Sequence, residues 1–403
     1  MLACAWNFVF LFLVHISLLD LNFWRYHVQG GLFLGIPFDL YLGWVILWGA
    51  VPLLCFPRLP IPMIVGIMAL FDLVFMPLCA PVVELREPWL IGECYVLVYC
   101  LLPGLYLARF TEEDRQLGLR AFFQAITFAG MVFVLIPAII EANTTEQAAR
   151  HLAVLLINPQ AWEPVSWHIQ WICIVSVMGM SATQEFVLRG NGTPVPFDPP
   201  KKLVISGMYA YIANPMQISC ILILVIMSLM LKSNWMFAVA VVSFIYCVGI
   251  AWWDEGEDLR IKFGDDWLRY RNEVHYWVPR WRPYVAQGKP QAVIYIAQTC
   301  QQCQQVQLWL EKRAAKGLVI VAAEDHPSKT LTRITYDPLD GSFEDVGVAA
   351  IARALEHFNF AWAYLGVFLR LPGVKDIVQL IVDACGGGPK SIPRNNSAVC
   401  PLS

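Results

Sequence analysis

Charge is the scarcest property of this chain. Only 15% of its 403 residues are charged, whereas 58% are hydrophobic. A soluble globular protein carries about a quarter charged residues, so for most of the chain an aqueous fold is excluded and lipid is the expected solvent. Basic excess is lacking too: a net charge of −3 gives no case for nucleic acid as a partner. Metal-ligand spacing is absent, because His15, His27, His151, His168, His275, His326 and His357 are scattered. The twelve cysteines do not follow the spacing of a small secreted scaffold. Most lie in apolar runs, among them Cys94, Cys100, Cys173 and Cys220, and read as buried free thiols. Only Cys300 and Cys303 stand apart. The first apolar run has neither a basic segment before it nor a small-residue cleavage site after it, so it reads as a retained span and not a removed signal.

What the chain has instead is long apolar runs. A helix of about 20 apolar residues spans a bilayer while satisfying its own backbone. Runs near 3–20, 40–56, 61–80, 91–108, 119–141, 168–187, 216–231 and 235–253 predict a polytopic α-helical membrane protein of about eight spans. Trp24, Trp44, Trp89, Trp167 and Trp171 fall near the ends of these runs, where interfacial aromatics belong. Arg58, the stretch 109–120, Lys201, Lys202 and the chain beyond Trp253 share one side, which the positive-inside rule makes cytoplasmic. Both termini and the C-terminal domain are then expected in the cytoplasm. Asp20, Asp72 and Glu93 lie in or near the spans, and ionisable groups at that depth are functional candidates.

The character of the chain changes at 254–282. Acidic residues come first, then Arg260, Lys262, Arg269 and Arg271 alternate with Phe263, Trp267 and Tyr270, as in a segment lying on an anionic leaflet. Such a leaflet does not account for the acidic residues. Upstream, prolines and glycines exclude a helix up to about Pro200, and Asn214-Pro215 opens a span. A short connection at 232–234 makes the last two spans an antiparallel pair, which brings Asn214-Pro215 toward Glu255.

These residues resemble a known family. Gly207, Tyr209, Tyr211 and Asn214-Pro215-Met216, a hairpin, Glu255, then Phe263-Gly264, Trp267 and Tyr270, and finally Val278-Pro279-Arg280 form the shared pattern. It is similar to the isoprenylcysteine carboxyl methyltransferases and their phospholipid-methyltransferase-like relatives, over about 185–284. The resemblance implies an S-adenosylmethionine-dependent methyltransferase with a membrane lipid or lipid-linked acceptor. It implies Gly207, Tyr209, Asn214, Pro215, Glu255 and Tyr270 at the cofactor. It also places a catalytic or cofactor-side role at Glu255, and Glu257 is a catalytic candidate as a substitute for the family's second glutamate, whose position holds Gly256. A carboxylate gains Coulomb energy beside a sulfonium, and aromatic faces add cation–π attraction. Three positions differ from the family's common residues: Ala213, Ala251 and Gly256.

Four regions are expected: N-terminal transmembrane helices at 1–160, a methyltransferase-like membrane domain at 161–284, a linker at 285–290, and a small α/β domain at 291–403. In the last, 292–297 reads as a buried strand, Cys300-Gln-Gln-Cys303 opens a helix through about Ala315, and 318–323 is a second strand. Strand, Cys-x-x-Cys and helix in that order is a thioredoxin-like signature, with the helix N-terminus favouring the first thiolate. The stretches 347–355 and 369–374 resemble the DCC family of thiol-disulfide oxidoreductase-like domains, whose aspartate position holds Ala297 here. That resemblance implies catalytic roles for Cys300 and Cys303 and a redox partner. The tail from Gly386 is expected to be mobile. Two other readings stay open: a membrane-anchored oxidoreductase on a degenerate methyltransferase scaffold, and a transporter or assembly factor using Asp72.

Overall fold

The computed structural model describes residues 1–18, 23–28, 30–33, 35–144, 154–155, 158–195 and 198–394, with backbone alone at 142–144, 159, 251, 254 and 255. Asp20, Arg150 and His151 lie outside the described residues. The described chain is mostly helical and divides into two compact units. The first comprises Met1–Gln170, Gly192–Pro199 and Leu224–Ala240; the second comprises Trp171–Asn191, Pro200–Ile223 and Val241–Ser403.

In the first unit, the helix Leu2–Ser17 packs against Phe38–Gly49 and against the helix Leu102–Glu112. Lipid tails are as apolar as leucine, so helices in a membrane associate by close packing more than by hydrophobic exclusion. Glycines supply the approach here. A Cβ on Gly49 would lie 2.8 Å from the backbone of Cys4, and one on Gly130 would lie 2.4 Å from Val9. Phe12, Ile64, Leu101, Leu105 and Leu135 fill the centre. A two-stranded antiparallel ribbon, Trp24–Tyr26 with Val83–Leu85, joins two of the interhelical connections.

Among the described residues, five helices are long and apolar enough to cross a membrane: Phe38–Cys55, Ile61–Cys79, Trp89–Glu112, Leu117–Glu141 and Gln160–Gly190. The other three expected spans coincide with the shorter apolar helices Leu2–Ser17, Pro215–Leu231 and Asn234–Ile250. At 16 or 17 residues each, these lie at or just under the short end of the range for a crossing, and the last runs on without a break into Trp252–Glu273.

The second unit holds the end of the helix Ser166–Glu185, the loop that follows, and the helix Trp252–Glu273. That last helix is broken at Gly264, whose φ of 55° and ψ of −128° are open to glycine alone at no steric cost. Beyond it lies a four-stranded mixed sheet, ordered Leu318–Ala322, Ala292–Ile296, Thr335–Pro338, Asp345–Val346. The first two strands are parallel, with Ile294 opposite Ile320; the other pairings are antiparallel, with Ile294 opposite Tyr336 and Tyr336 opposite Asp345. The central strand Ala292–Ile296 is buried throughout, as its unbroken apolar run requires.

The helix Gln301–Glu311 links the parallel pair. It ends four residues before the expected Ala315, because Ala314 turns to a φ of 49°. The tail also departs from expectation. Lys390 donates its backbone N–H to the Thr332 carbonyl at 2.9 Å and Ile392 to that of Leu331 at 3.0 Å, so the chain stays docked well past Gly386. Ile392 is buried against the cluster that holds Cys300 and Cys303.

Candidate functional site

The loop 203–214 packs among the segments of the second unit around Glu185 and 270–284. Gly207 has a φ of 58°, and a Cβ there would sit 2.8 Å from the Glu185 side chain. Glycine thus serves both the turn and the close approach. The loop then runs against the 270–284 segment by main-chain bonds. Ala213 donates to the His275 carbonyl at 3.0 Å, Arg280 to Tyr211 at 2.9 Å, and Tyr284 to Ala210 at 2.8 Å.

Two of the expected cofactor residues meet here. Tyr270, almost fully buried, donates its hydroxyl to the Tyr209 carbonyl at 2.8 Å. Its ring packs edge-on against Tyr284, with centroids 5.4 Å apart, and Tyr209 stacks on Phe186 at 5.1 Å. These contacts make both tyrosines supports of the loop. Asn214 is half-buried and its side-chain amide donates to Gln217 at 3.1 Å. Pro215 begins the next helix, where its missing N–H costs nothing. Glu257 is exposed. The Glu255 side chain lies outside the described residues, so its distance from Asn214-Pro215 is not fixed. Near it, Gly256 faces Tyr276: a Cβ there would lie 3.6 Å from the phenol oxygen. Trp252 meets Tyr276 edge-on at 6.3 Å and Phe244 meets Trp277 at 5.7 Å, a partly exposed aromatic group at the end of the hairpin.

A buried ion cluster stands behind the loop. Glu185 is fully buried and accepts from Ser206 Oγ at 2.8 Å and from Arg353 Nη1. Arg189 Nε lies 3.2 Å from the same carboxylate and Arg370 Nη2 lies 3.9 Å from it. Arg353 also pairs with Asp345 at 3.0 Å and with Glu356 at 3.3 Å, and Arg370 pairs with Glu356. Burial opposes the Arg353 charge, but the Glu185 and Glu356 carboxylates outweigh it and raise its pKa above the usual arginine value. The sequence carried one signal for this cluster, a glutamate at the end of an apolar run.

In the C-terminal domain Cys300 precedes the first turn of the helix Gln301–Glu311, and both it and Cys303 are unpaired thiols. A hydrogen bond from the Cys303 thiol, with backbone N–H groups of the helix start, lowers the Cys300 pKa. Burial, with Cys300 beside it, pushes Cys303 up to about 12. Cys300 is therefore the thiol that ionises first. The position expected to hold an aspartate is the buried Ala297. A carboxylate the sequence did not reveal serves the turn instead: Glu324 accepts from the backbone of Gln298 at 2.9 Å and of Thr299 at 3.2 Å.

A family model for phospholipid methyltransferases matches residues 169–265. That stretch contains Gly207, Tyr209, Asn214, Pro215, Glu255 and Glu257, and stops before Tyr270. Comparison with curated proteins and with solved structures gives no match. Residues 169–265 are thus similar to phospholipid methyltransferases, and the helices long enough to cross a membrane suit an enzyme of that class.

Of the residues expected at S-adenosylmethionine, those at the start of the helix Pro215–Leu231 fit it best. The first N–H groups of a helix lack intrahelical acceptors and favour a carboxylate such as the cofactor's. Tyr209 and Tyr270 fit less well as sulfonium ligands, since their rings are occupied by Phe186, Trp267 and Tyr284.

Proposed function

We propose that this protein is an integral membrane methyltransferase that uses S-adenosylmethionine and acts on a lipid-soluble or lipid-linked acceptor. The observation that carries this reading is the family match over residues 169–265. Asn214 and the first turn after it would hold the cofactor's carboxylate end, and Glu255, with Glu257, its cationic groups. The cofactor supplies an activated methyl group on a sulfonium that leaves readily. Alignment of acceptor and methyl is therefore the protein's main contribution. The loop 203–214, fixed by main-chain bonds and by Gly207 against Glu185, provides that rigidity. Phe244, Trp252, Tyr276 and Trp277 offer an aromatic wall on which an apolar acceptor can lie. Loops rich in lysine and arginine favour a cytoplasmic placement for this site and for both termini.

The C-terminal domain supports a second activity, thiol-disulfide exchange in a thioredoxin-like fold with a redox partner. Its specific support is the Cys300–Cys303 pair at a helix start that joins two parallel strands. Two thiols give up two electrons and two protons to a disulfide of the partner, which is reduced to two thiols. In this reading Cys300 attacks first and Cys303 resolves.

The test is calorimetry of S-adenosylmethionine with the purified full-length protein and with Glu255→Ala. Saturable binding that the variant loses is the expected result. No binding by the wild type would remove the methyltransferase reading and leave the dithiol domain as the functional part.

A further inference from the structure

The first unit contains a small, partly open recess, with about 40 Å³ of room for the centres of water-sized molecules, that the proposed methyl transfer does not use. Trp24, Tyr26, Tyr41, Trp44, Trp48 and Glu93 line it together with His15, backed by Met76 and aliphatic side chains. Trp24 and Tyr26 arrive on the ribbon strand paired with Val83–Leu85. Tyr41, Trp44 and Trp48 follow at helical spacing on one face of Phe38–Gly49. The rings of Tyr26 and Trp44 meet edge-on at 6.5 Å.

Glu93 is only 5% exposed, yet its Oε1 accepts no hydrogen bond. Its carboxyl lies within hydrogen-bonding range of that of Asp72, which is equally buried and has an unmet Oδ2. Among the described residues no lysine, arginine or histidine forms an ion pair with either acid. Two adjacent carboxyls in a low-dielectric setting are unfavourable as anions unless a cation joins them. The indole N–H of Trp24 also lacks an acceptor, while that of Trp48 lies beside the Asp72 carboxyl. Three unmet demands therefore converge: a cation for the acids, a positive face for the rings, and an oxygen for the Trp24 indole. An anion would be repelled by both acids. The described residues contain no group of three metal-ligating side chains, so a bare metal ion is poorly served.

We propose that this recess binds a small organic ammonium group, held by Glu93 with Asp72 behind it and enclosed by the faces of Trp24, Tyr26, Trp44 and Trp48. The same chemistry is carried by a free amine and by the amine headgroup of a lipid. The recess lies outside the matched residues 169–265, so this site and the methyltransferase reading stand or fall separately.

The test uses the full-length protein in phosphatidylglycerol nanodiscs, titrated calorimetrically with tetramethylammonium chloride and with ethanolamine hydrochloride. A second arm compares the melting temperature in nanodiscs with and without phosphatidylethanolamine. Saturable binding of either free cation supports a free ligand. A melting temperature raised by phosphatidylethanolamine, with no binding of the free cations, supports a lipid headgroup. In whichever arm responds, Glu93→Gln is expected to weaken the effect at least about tenfold, while S-adenosylmethionine binding stays unchanged. Trp44→Leu, which removes a ring face without touching the acids, should weaken it as well and serves if Glu93→Gln folds poorly. No response in either arm, or equal responses in wild type and both variants, would overturn the proposal.

Discussion

Tyr270 donates its hydroxyl to the main-chain carbonyl of Tyr209 across 2.8 Å, joining two segments 61 residues apart in sequence. Both side chains are buried, so water cannot replace the bond. Tyr270→Phe keeps the ring packing against Trp267 and Tyr284 and removes only the donor. A buried carbonyl left unmet costs about 1–3 kcal/mol, and the melting temperature should fall accordingly. S-adenosylmethionine affinity measured on the same variant should fall too if the loop presents the cofactor site, and stay unchanged if it does not.

Arg353 is the residue most exposed to failure by mutation. Arg353→Met would leave Glu185 and Glu356 short of their shared cation in a fully buried setting. Breaking a buried ion pair on one side typically costs about 3–5 kcal/mol, and Arg189 and Arg370 near Glu185 place the expected loss at the lower end. The double variant Glu185→Gln with Arg353→Met should recover part of that loss. Thermal melts of the single and double variants in one detergent decide it.

Acid should weaken the C-terminal domain through His357. Its Nδ1 bonds the Lys316 carbonyl at 2.8 Å and its Nε2 bonds the Tyr336 hydroxyl at 3.0 Å, an arrangement for the neutral ring. Burial, aided by Arg189 and Arg353, lowers its pKa to about 4. The unfolded chain, with a value of about 6.5, takes up a proton first as pH falls. This contribution is whole above about pH 6.5 and disappears as pH drops toward 4, up to about 3 kcal/mol. Melting temperatures from pH 7.5 to 4.5 should therefore decline more steeply for the wild type than for His357→Gln.

Alkylation should separate the two thiols. With the Cys300 pKa lowered and that of Cys303 pushed up to about 12, iodoacetamide at neutral pH should label Cys300 first. Peptide mass spectrometry against pH reads the order, and equal rates at the two positions would show that the helix start does not distinguish them.

The spans were legible because lipid accepts long uniform runs, and Asn214-Pro215 was legible because proline marks a helix start. The three runs that form shorter helices looked the same as the rest, since composition alone does not set where a helix stops. The partners of buried acids were not legible. Asp72 had no evident neighbour until Glu93, on another helix, was placed beside it. Arg353, which meets Glu185 beside the local Arg189, lies 168 residues downstream, and no local pattern announces a contact of that range. Glu324 was hidden for the same reason: the N–H groups that donate to it belong to a turn that only the parallel strand pairing brings near.

That separation also has a consequence for synthesis. At about 5–20 residues per second, the ribosome needs roughly 8–34 seconds to reach Arg353 after it has made Glu185. Through that interval the acid at the end of an apolar helix has only Arg189 close by in sequence. The nascent segment must keep it near water until the C-terminal domain folds, so this helix reaches its final seat only after nearly the whole chain has been translated.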